Sequence, residues 1–438
     1  MSQKKLVVRT LAVLLLLSLV VPAQAQDIHF LEAADGDLVA TDLVRLPAEK
    51  GLMPGVSRDA VDFSYAIDKN YAFNGDATMA VSQPFNASSR EYFVDVDAAE
   101  LVNGVTIYTT APGALLRINP VAKANPVIEP NGATTTVDPA GASSPAQKAG
   151  GSYDPTGLVA TGPGGVVFSA AEAFERIVSA EQLAEAGVPF ADGTIAVRLS
   201  PAVGAGAITI AMPALKSDAR YTVHVFDRLS PIALELGADR LDYLHGDQLN
   251  VRASFAGADV ALGSVEGFIT SPAGQAWPLN VAVENGALVG SLSLDAAGAV
   301  APGLWEVHLA ARGTADGLEV VRSVRTSFAA HLPTARLDGR VERVKMRDGL
   351  ALRFGVEVGT PGRFEVRGVL YGTDASGQLA PMAIGHVADW LDASGALTLS
   401  FPSVEGFRGP YELRDLRLLD QSRMGVLHRQ DRALQLRR

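Results

Sequence analysis

Apolar residues recur at every second position along this chain, in short runs that end at turn residues. Side chains alternate across a pleated strand, so that period selects half-buried strands over helices. The clearest run is Pro302-Gly303-Leu304-Trp305-Glu306-Val307-His308-Leu309-Ala310. Pro-Gly supplies a turn; Trp305, Val307, Leu309 and Ala311 then share the inward face of an antiparallel strand. Upstream, Tyr243, Leu249, Val251, Ala253 and Phe255 repeat the pattern around the turn at Gly246-Asp247. Further strands are predicted over 219–226, 248–255, 264–270, 276–283, 287–294, 304–311 and 318–328. Turns between them fall at Ser271-Pro272-Ala273-Gly274, Glu284-Asn285-Gly286 and Ala315-Asp316-Gly317. Strands broken by turns at this spacing are the pattern of a β-sandwich.

A chain of 438 residues is too long for one such core, because single cores stop growing at roughly 250 to 300 residues. The fold class expected is mainly β: tandem antiparallel Ig-like β-sandwiches, with one amphipathic helix in the N-terminal domain. The expected division is a signal peptide at 1–25, an N-terminal β-rich domain at 26–215, an Ig-like sandwich at 216–333 and a C-terminal sandwich at 334–438. In the last unit, strands are predicted over 350–358, 362–371, 396–401, 411–418 and 425–436. The residues 388–391, with Trp390, read as a short helical turn.

Compartment is the most legible property. Lys4, Lys5 and Arg9 precede an apolar run at 11–21, and Ala23-Gln24-Ala25 is a small-x-small cleavage site. That order predicts a signal peptide cut after Ala25, and a mature chain starting at Gln26 in the periplasm or outside the cell. No later segment is apolar enough over enough residues to predict a membrane span. The chain has no cysteine, which removes disulfides, thiol catalysis, Cys-ligated zinc and an N-terminal lipid anchor.

The net charge is −11 and unevenly spread: −12 over 26–215, −5 over 216–333 and +3 over 334–438. Phosphate contacts dominate nucleic-acid affinity, so nucleic acid is not an expected partner for so acidic a chain. The basic C-terminal unit is the part suited to an anionic surface.

In the first domain, strands are predicted over 59–66, 91–96, 115–118, 194–199 and 207–212. The runs Glu91-Tyr92-Phe93-Val94-Asp95-Val96-Asp97, Leu101-Val102-Asn103-Gly104-Val105 and Thr109-Thr110-Ala111-Pro112-Gly113-Ala114-Leu115-Leu116-Arg117-Ile118 resemble the N-terminal part of a secreted proteobacterial family, domain-of-unknown-function family 4785. The resemblance implies export and tandem Ig-like domains; it implies no activity and no catalytic residues. The segment 119–165, rich in Pro, Ala, Gly, Ser and Thr, reads as a mobile loop. The amphipathic helix is predicted over 169–186, where Ser169 and Glu172 have capping-box spacing and Phe174, Ile177, Val178 and Leu183 share a face.

Catalytic signatures do not emerge. No nucleophile elbow, zinc-binding His-Glu-x-x-His, phosphate-binding loop or EF-hand spacing occurs, and His29, His224, His245, His308, His331, His386 and His428 are scattered. No catalytic or cofactor-binding residue is assigned, and no cofactor is expected beyond a weak calcium candidate. Asp95, Asp97 and Glu100 are that candidate, with a solvated strand face as the simpler reading. Asp35-Gly36-Asp37 reads as a turn with the same calcium alternative, and His245-Gly246-Asp247 as a capped turn rather than part of a triad. Trp277 and Trp390, near turns, are candidates for sugar stacking, whereas Trp305 reads as core.

Together these features describe an exported, non-enzymatic protein of tandem sandwiches that binds a surface, a glycan or a protein. Two alternatives stand beside it. One is a secreted glycosidase- or esterase-type hydrolase with carboxylates dispersed in sequence. The other is a structural or accessory subunit of an envelope assembly. Oligomeric state is not fixed by the sequence.

Overall fold

The computed structural model describes residues 28–67, 84–121, 153–188, 190, 192–294 and 303–436. The expected signal peptide, the turn residue Pro302 and most of the expected mobile loop lie outside these residues. Within them the chain is mainly β, built as three successive sandwiches.

A ten-stranded sheet runs through the first two sandwiches. Its N-terminal half holds Glu91–Asp97, Arg220–Phe226, Leu115–Val121, Ile195–Leu199 and Phe174–Ser179. This half packs on a four-stranded sheet of Val105–Thr109, Gly206–Ala211, Val159–Thr161 and Val167–Ser169, around a core that includes Tyr92, Leu101, Ile107, Ile208 and Val225. Its other half holds Ala276–Pro278, Ala261–Thr270, Trp305–Ala315 and Leu318–His331, with Asp242–Leu244 paired to the last of these. This half faces a five-stranded sheet that includes Gln248–Ala256 and Ala287–Ser293. Trp305, 2% exposed, Tyr243, Leu249 and Phe328 fill the core between them. The hairpin turns are those the sequence marks: Asn285-Gly286 and Asp316-Gly317 both take positive φ, as tight two-residue hairpins require.

The third sandwich pairs a three-stranded sheet (Ala335–Val344, Leu350–Val358 and Gly395–Phe401) with a six-stranded one. Four of the six strands are C-terminal: Gly362–Thr373, Leu379–Leu391, Arg408–Asp420 and Gly425–Leu436. The other two, Leu38–Val39 and Val61–Ala66, come from the start of the chain.

Four sequence expectations change here. First, 28–67 is a strap across the C-terminal sandwich, not a part of the N-terminal core. Leu31 N–H donates to the Ala433 carbonyl at 2.9 Å, and Met53 N–H to that of Ser422 at 2.8 Å. Alternation shows that Val61–Ala66 is a strand but not which sheet edge it completes. Second, Arg220–Phe226 lies between Glu91–Asp97 and Leu115–Val121, so it belongs to the first core and not to the central sandwich.

Third, the helix expected over 169–186 is two short helices, Ala170–Ala173 and Ala180–Glu185, separated by the strand Phe174–Ser179. Ile177 and Val178, β-branched, pair with Val197 and Ala196, and strand pairing overrides the helical spacing. The Ser169–Glu172 box forms, and a second one, Ser179–Gln182, restarts the helix. The described ends of the expected mobile loop are ordered as well: Asn119 lies in a strand, and Pro155–Gly157 is a 3₁₀ turn. Fourth, 388–391 is strand rather than helical turn, because Trp390 pairs with Arg363 across the sheet.

The first two sandwiches meet where Ser323 pairs with Glu91. Beneath that bridge Arg322 is fully buried. Its guanidinium donates to the carbonyls of Ile232 (3.0 Å) and Val321 (2.8 Å), to Thr110 Oγ1 (3.0 Å), to Ser230 Oγ (2.8 Å) and to Asp227 Oδ2 (3.0 Å). Asp227 also accepts from the backbone N–H and hydroxyl of Thr110. One side chain of the central sandwich thus ties down a loop of the first and the segment joining them.

Two predictions follow from this packing. Arg322→Met leaves Asp227 buried without its cation and is expected to cost about 3–5 kcal/mol in urea unfolding. Arg322→Met combined with Asp227→Leu is expected to recover much of that loss, and additive losses would contradict the pairing. The second concerns His428, 5% exposed, opposite Val39 of the strap and with its ring 6.0 Å from that of Phe30 in a tilted contact. Burial lowers its imidazole from 6.5 to about 4, against the opposing pull of Gln430 and Asp37. The unfolded chain therefore takes up the proton first, so this contribution is complete above pH 6.5 and is lost as pH falls toward 4. The stability of wild type relative to His428→Gln should fall by about 3 kcal/mol between pH 7.5 and 4 in urea titrations. A constant difference would contradict the burial account.

Candidate functional site: a charged crevice between two sandwiches

The outer faces of the central and C-terminal sandwiches converge on a crevice of about 690 Å³. That size lies in the range of small-ligand and peptide sites. The crevice forms because residues two apart on a strand share a face. From Leu318–His331 it takes Arg325, Ser327 and Ala329; from Trp305–Ala315 it takes Glu306. The C-terminal sheet contributes Asp415 and Arg417 from one strand and Arg429 and Asp431 from its neighbour. Arg417 sits directly opposite Arg429. On the other side Arg417 is opposite Arg367, which is opposite His386, which is opposite Phe63. A row of three arginines and His386 therefore crosses four strands of the six-stranded sheet and ends in the crevice.

Directly opposed like charges destabilise a sheet. Each arginine of this row has a carboxylate that offsets the repulsion. Arg417 Nε lies 2.8 Å from Asp415 Oδ1, and Glu365 lies 3.8 Å from Arg367 and 3.3 Å from His386. Arg429, 11% exposed, is paired with Asp242 of the central sandwich and donates to the Gly36 carbonyl of the strap at 3.0 Å. Burial raises the Asp242 carboxyl, but the hydrogen bond from His331 and the Arg429 charge outweigh it and hold the group below its ordinary value. Strap, central sandwich and C-terminal sandwich thus meet on one guanidinium. Asp431 moves the other way: burial raises it, and the charges of Asp37 and Asp415 add to the rise. Arg325 differs from the other two arginines. Its nearest carboxylate, Glu306, is 3.9 Å away and its side chain is 51% exposed.

The residues singled out in the sequence lie elsewhere. Asp97 and Glu100 form the capping box of the helix Ala98–Asn103, and Asp95 accepts from Thr222 Oγ1 at 2.7 Å. Local structure accounts for all three, and among the described residues no group of three or more His, Asp or Glu gathers to hold a metal. Asp37 accepts from the backbone N–H of Ala34 and of Asp431, which seats the strap turn on the last strand. Asp247 accepts from Leu244 N–H at 2.9 Å and closes its turn, where Gly246 has φ +89°. Trp277 stacks on Trp305 at 5.3 Å, and Trp390 lies under the Arg58 guanidinium at 4.1 Å with its indole N–H on Asp392. Four of the histidines pair with carboxylates: His224 with Glu91, His308 with Glu306, His331 with Asp242 and His386 with Glu365.

The C-terminal sheet carries a sequence signal that reading for catalytic motifs passes over, and one arginine of that signal, Arg417, reaches the crevice. Glu365-Val366-Arg367, Glu412-Leu413-Arg414 and Asp415-Leu416-Arg417 each space an acid and an arginine by two, which on a strand puts both on one face. Only the strand register shows that Arg367 and Arg417 line up.

Comparison with known proteins agrees with the fold. No curated protein matches the chain. A crystal structure of a DUF4785 family protein from Legionella pneumophila subsp. pneumophila superposes with a TM-score of 0.70 over 91% of this chain and 99% of that one; at 20% identity the likeness speaks to fold alone. Among the described residues, no helix is long and apolar enough to cross a membrane. The model of the DUF4785 N-terminal domain matches residues 53–149 and 143–227, and that of the DUF4785 C-terminal domain matches 334–437. These matches span more than half of its length, and the chain belongs to the DUF4785 family.

Proposed function

We propose that this is an exported, non-enzymatic binding protein that holds a segment of a protein partner in the crevice between its central and C-terminal sandwiches. The observation that carries the reading is the crevice itself. Two walls from separate sandwiches are pinned together at Arg429, and they present charges that are largely satisfied but still reachable. Such a surface meets the alternating donors and acceptors of a peptide without a large conformational change. A glycan partner is less favoured, because Trp277 and Trp390 already have partners on their ring faces. Export is part of the proposal, supported by the basic, apolar and small-residue order of the first 25 residues. A hydrolase reading has one observation in its favour, the raised Asp431 carboxyl beside Asp415.

The test is photo-crosslinking in the native cell, with a benzophenone amino acid placed at Ser327 or Val426 in the crevice, or at the exposed Asp259 as control. The expected result is one discrete adduct from both crevice positions and none from the control, on a chain that begins at Gln26. Equal labelling from all three positions would overturn the site. Turnover of a chromogenic glycoside or ester panel that is lost in Asp431→Asn would replace binding with hydrolysis.

A further inference from the structure

We propose that Arg325 is the anchor of the crevice and that it selects a carboxylate, so that the segment bound there is an acidic peptide; this deepens the binding reading above and rests on it. The three crevice arginines are not equivalent. Arg417 donates to Asp415 at 2.8 Å, and Arg429 is shared between Asp242 and the Gly36 carbonyl. Arg429 uses both terminal nitrogens for the structure, and Arg417 is held through Nε and is 29% exposed, less than Arg325. Arg325 lies 3.9 Å from Glu306, too far for a hydrogen bond, and half of it is open to solvent. Its planar guanidinium keeps donors free for a ligand, in the geometry that grips a carboxylate with two parallel bonds.

The surroundings narrow the ligand further. Asp242, Glu306, Asp415 and Asp431 share the crevice with Arg325, Arg417 and Arg429. That excess of carboxylates repels a dianionic phosphate. It tolerates a single carboxylate, and it welcomes the backbone N–H groups that flank one in a peptide. Ser327, two residues along the same strand face, adds a hydroxyl beside Arg325. Phe85 and Leu304, 68% and 62% exposed, line the same crevice and offer apolar contact to the neighbours of the acidic residue. The chemistry described is a Glu or Asp between apolar side chains.

The experiment uses the full mature chain and two dye-labelled, end-blocked peptides, acetyl-Gly-Leu-Glu-Leu-Gly-amide and its Glu→Gln counterpart, followed by fluorescence anisotropy. The Glu peptide is expected to bind about tenfold more tightly, the scale of a hydrogen-bonded charge pair, with the gap closing as salt rises. Arg325→Gln should abolish the preference, bringing the Glu peptide down to the affinity of the Gln peptide, with thermal melting unchanged; Arg325→Lys should restore part of it. Ser327→Trp, which fills the crevice, should weaken both peptides. A preference that survives Arg325→Gln, or no preference in wild type while Ser327→Trp still blocks binding, would overturn the Arg325 assignment and leave the crevice standing. Failure of both peptides to bind would overturn the acidic-peptide assignment, and the crosslinking result then decides separately whether the crevice binds anything.

Discussion

A guanidinium with no solvent around it holds the first two sandwiches in one arrangement. Arg322 spends its donors on Ile232, Val321, Thr110, Ser230 and Asp227, and the Asp227 carboxylate in turn accepts from Thr110. Desolvating a charge is expensive, so this arrangement persists only while every partner stays in place. The strand that carries Arg322 serves both cores: Val321 packs into the first, and Val324 and Phe328 into the second. A chain without cysteine has no covalent staple at this seam, and buried polar geometry takes that role.

The same strand leads to the crevice. Three residues beyond Arg322 its outer face presents Arg325, then Ser327 and Ala329, where the backbone runs parallel to Asp242–Leu244. Asp242 then reaches Arg429 of the C-terminal sheet, which the strap also touches. One strand therefore connects the lock between the first two sandwiches to the wall of the crevice between the last two. The strap closes the frame from the other side, since 28–67 is laid on the C-terminal sandwich before the chain enters the first core. Phe30 of the strap packs against the third core, and Leu38 and Ala40 form a small buried cluster with Leu244 of the central sandwich.

Alternation and turn chemistry made most individual strands readable. Trp305 lies inward as its phase requires, and the Asn-Gly and Asp-Gly pairs close hairpins. Pairing over long sequence distance was not readable. Nothing local in Val61–Ala66 says that it completes a sheet more than three hundred residues away, and nothing local in Phe174–Ser179 says that Ile195–Leu199 will draw it out of a helix. The crevice shared that fate. Its Asp415-Leu416-Arg417 pair is visible in the sequence, but the row that Arg417 forms with Arg367 and Arg429 exists only once the strand register is set. Carboxylates at 95–100 drew attention because they cluster in sequence; Asp97 and Glu100 are there because a helix cap needs them, and Asp95 serves a cross-strand bond from Thr222.

The central claim is that the sandwiches form one fixed frame with a standing crevice. Absence of native cysteine allows a direct measurement, because Glu266→Cys on the central sandwich and Gln435→Cys on the C-terminal one, both exposed, can carry the only two spin labels. Pulsed electron–electron resonance on the doubly labelled mature protein should give a single narrow distance distribution. A broad or multi-peaked distribution would mean that the two walls move independently and that no fixed crevice exists between them.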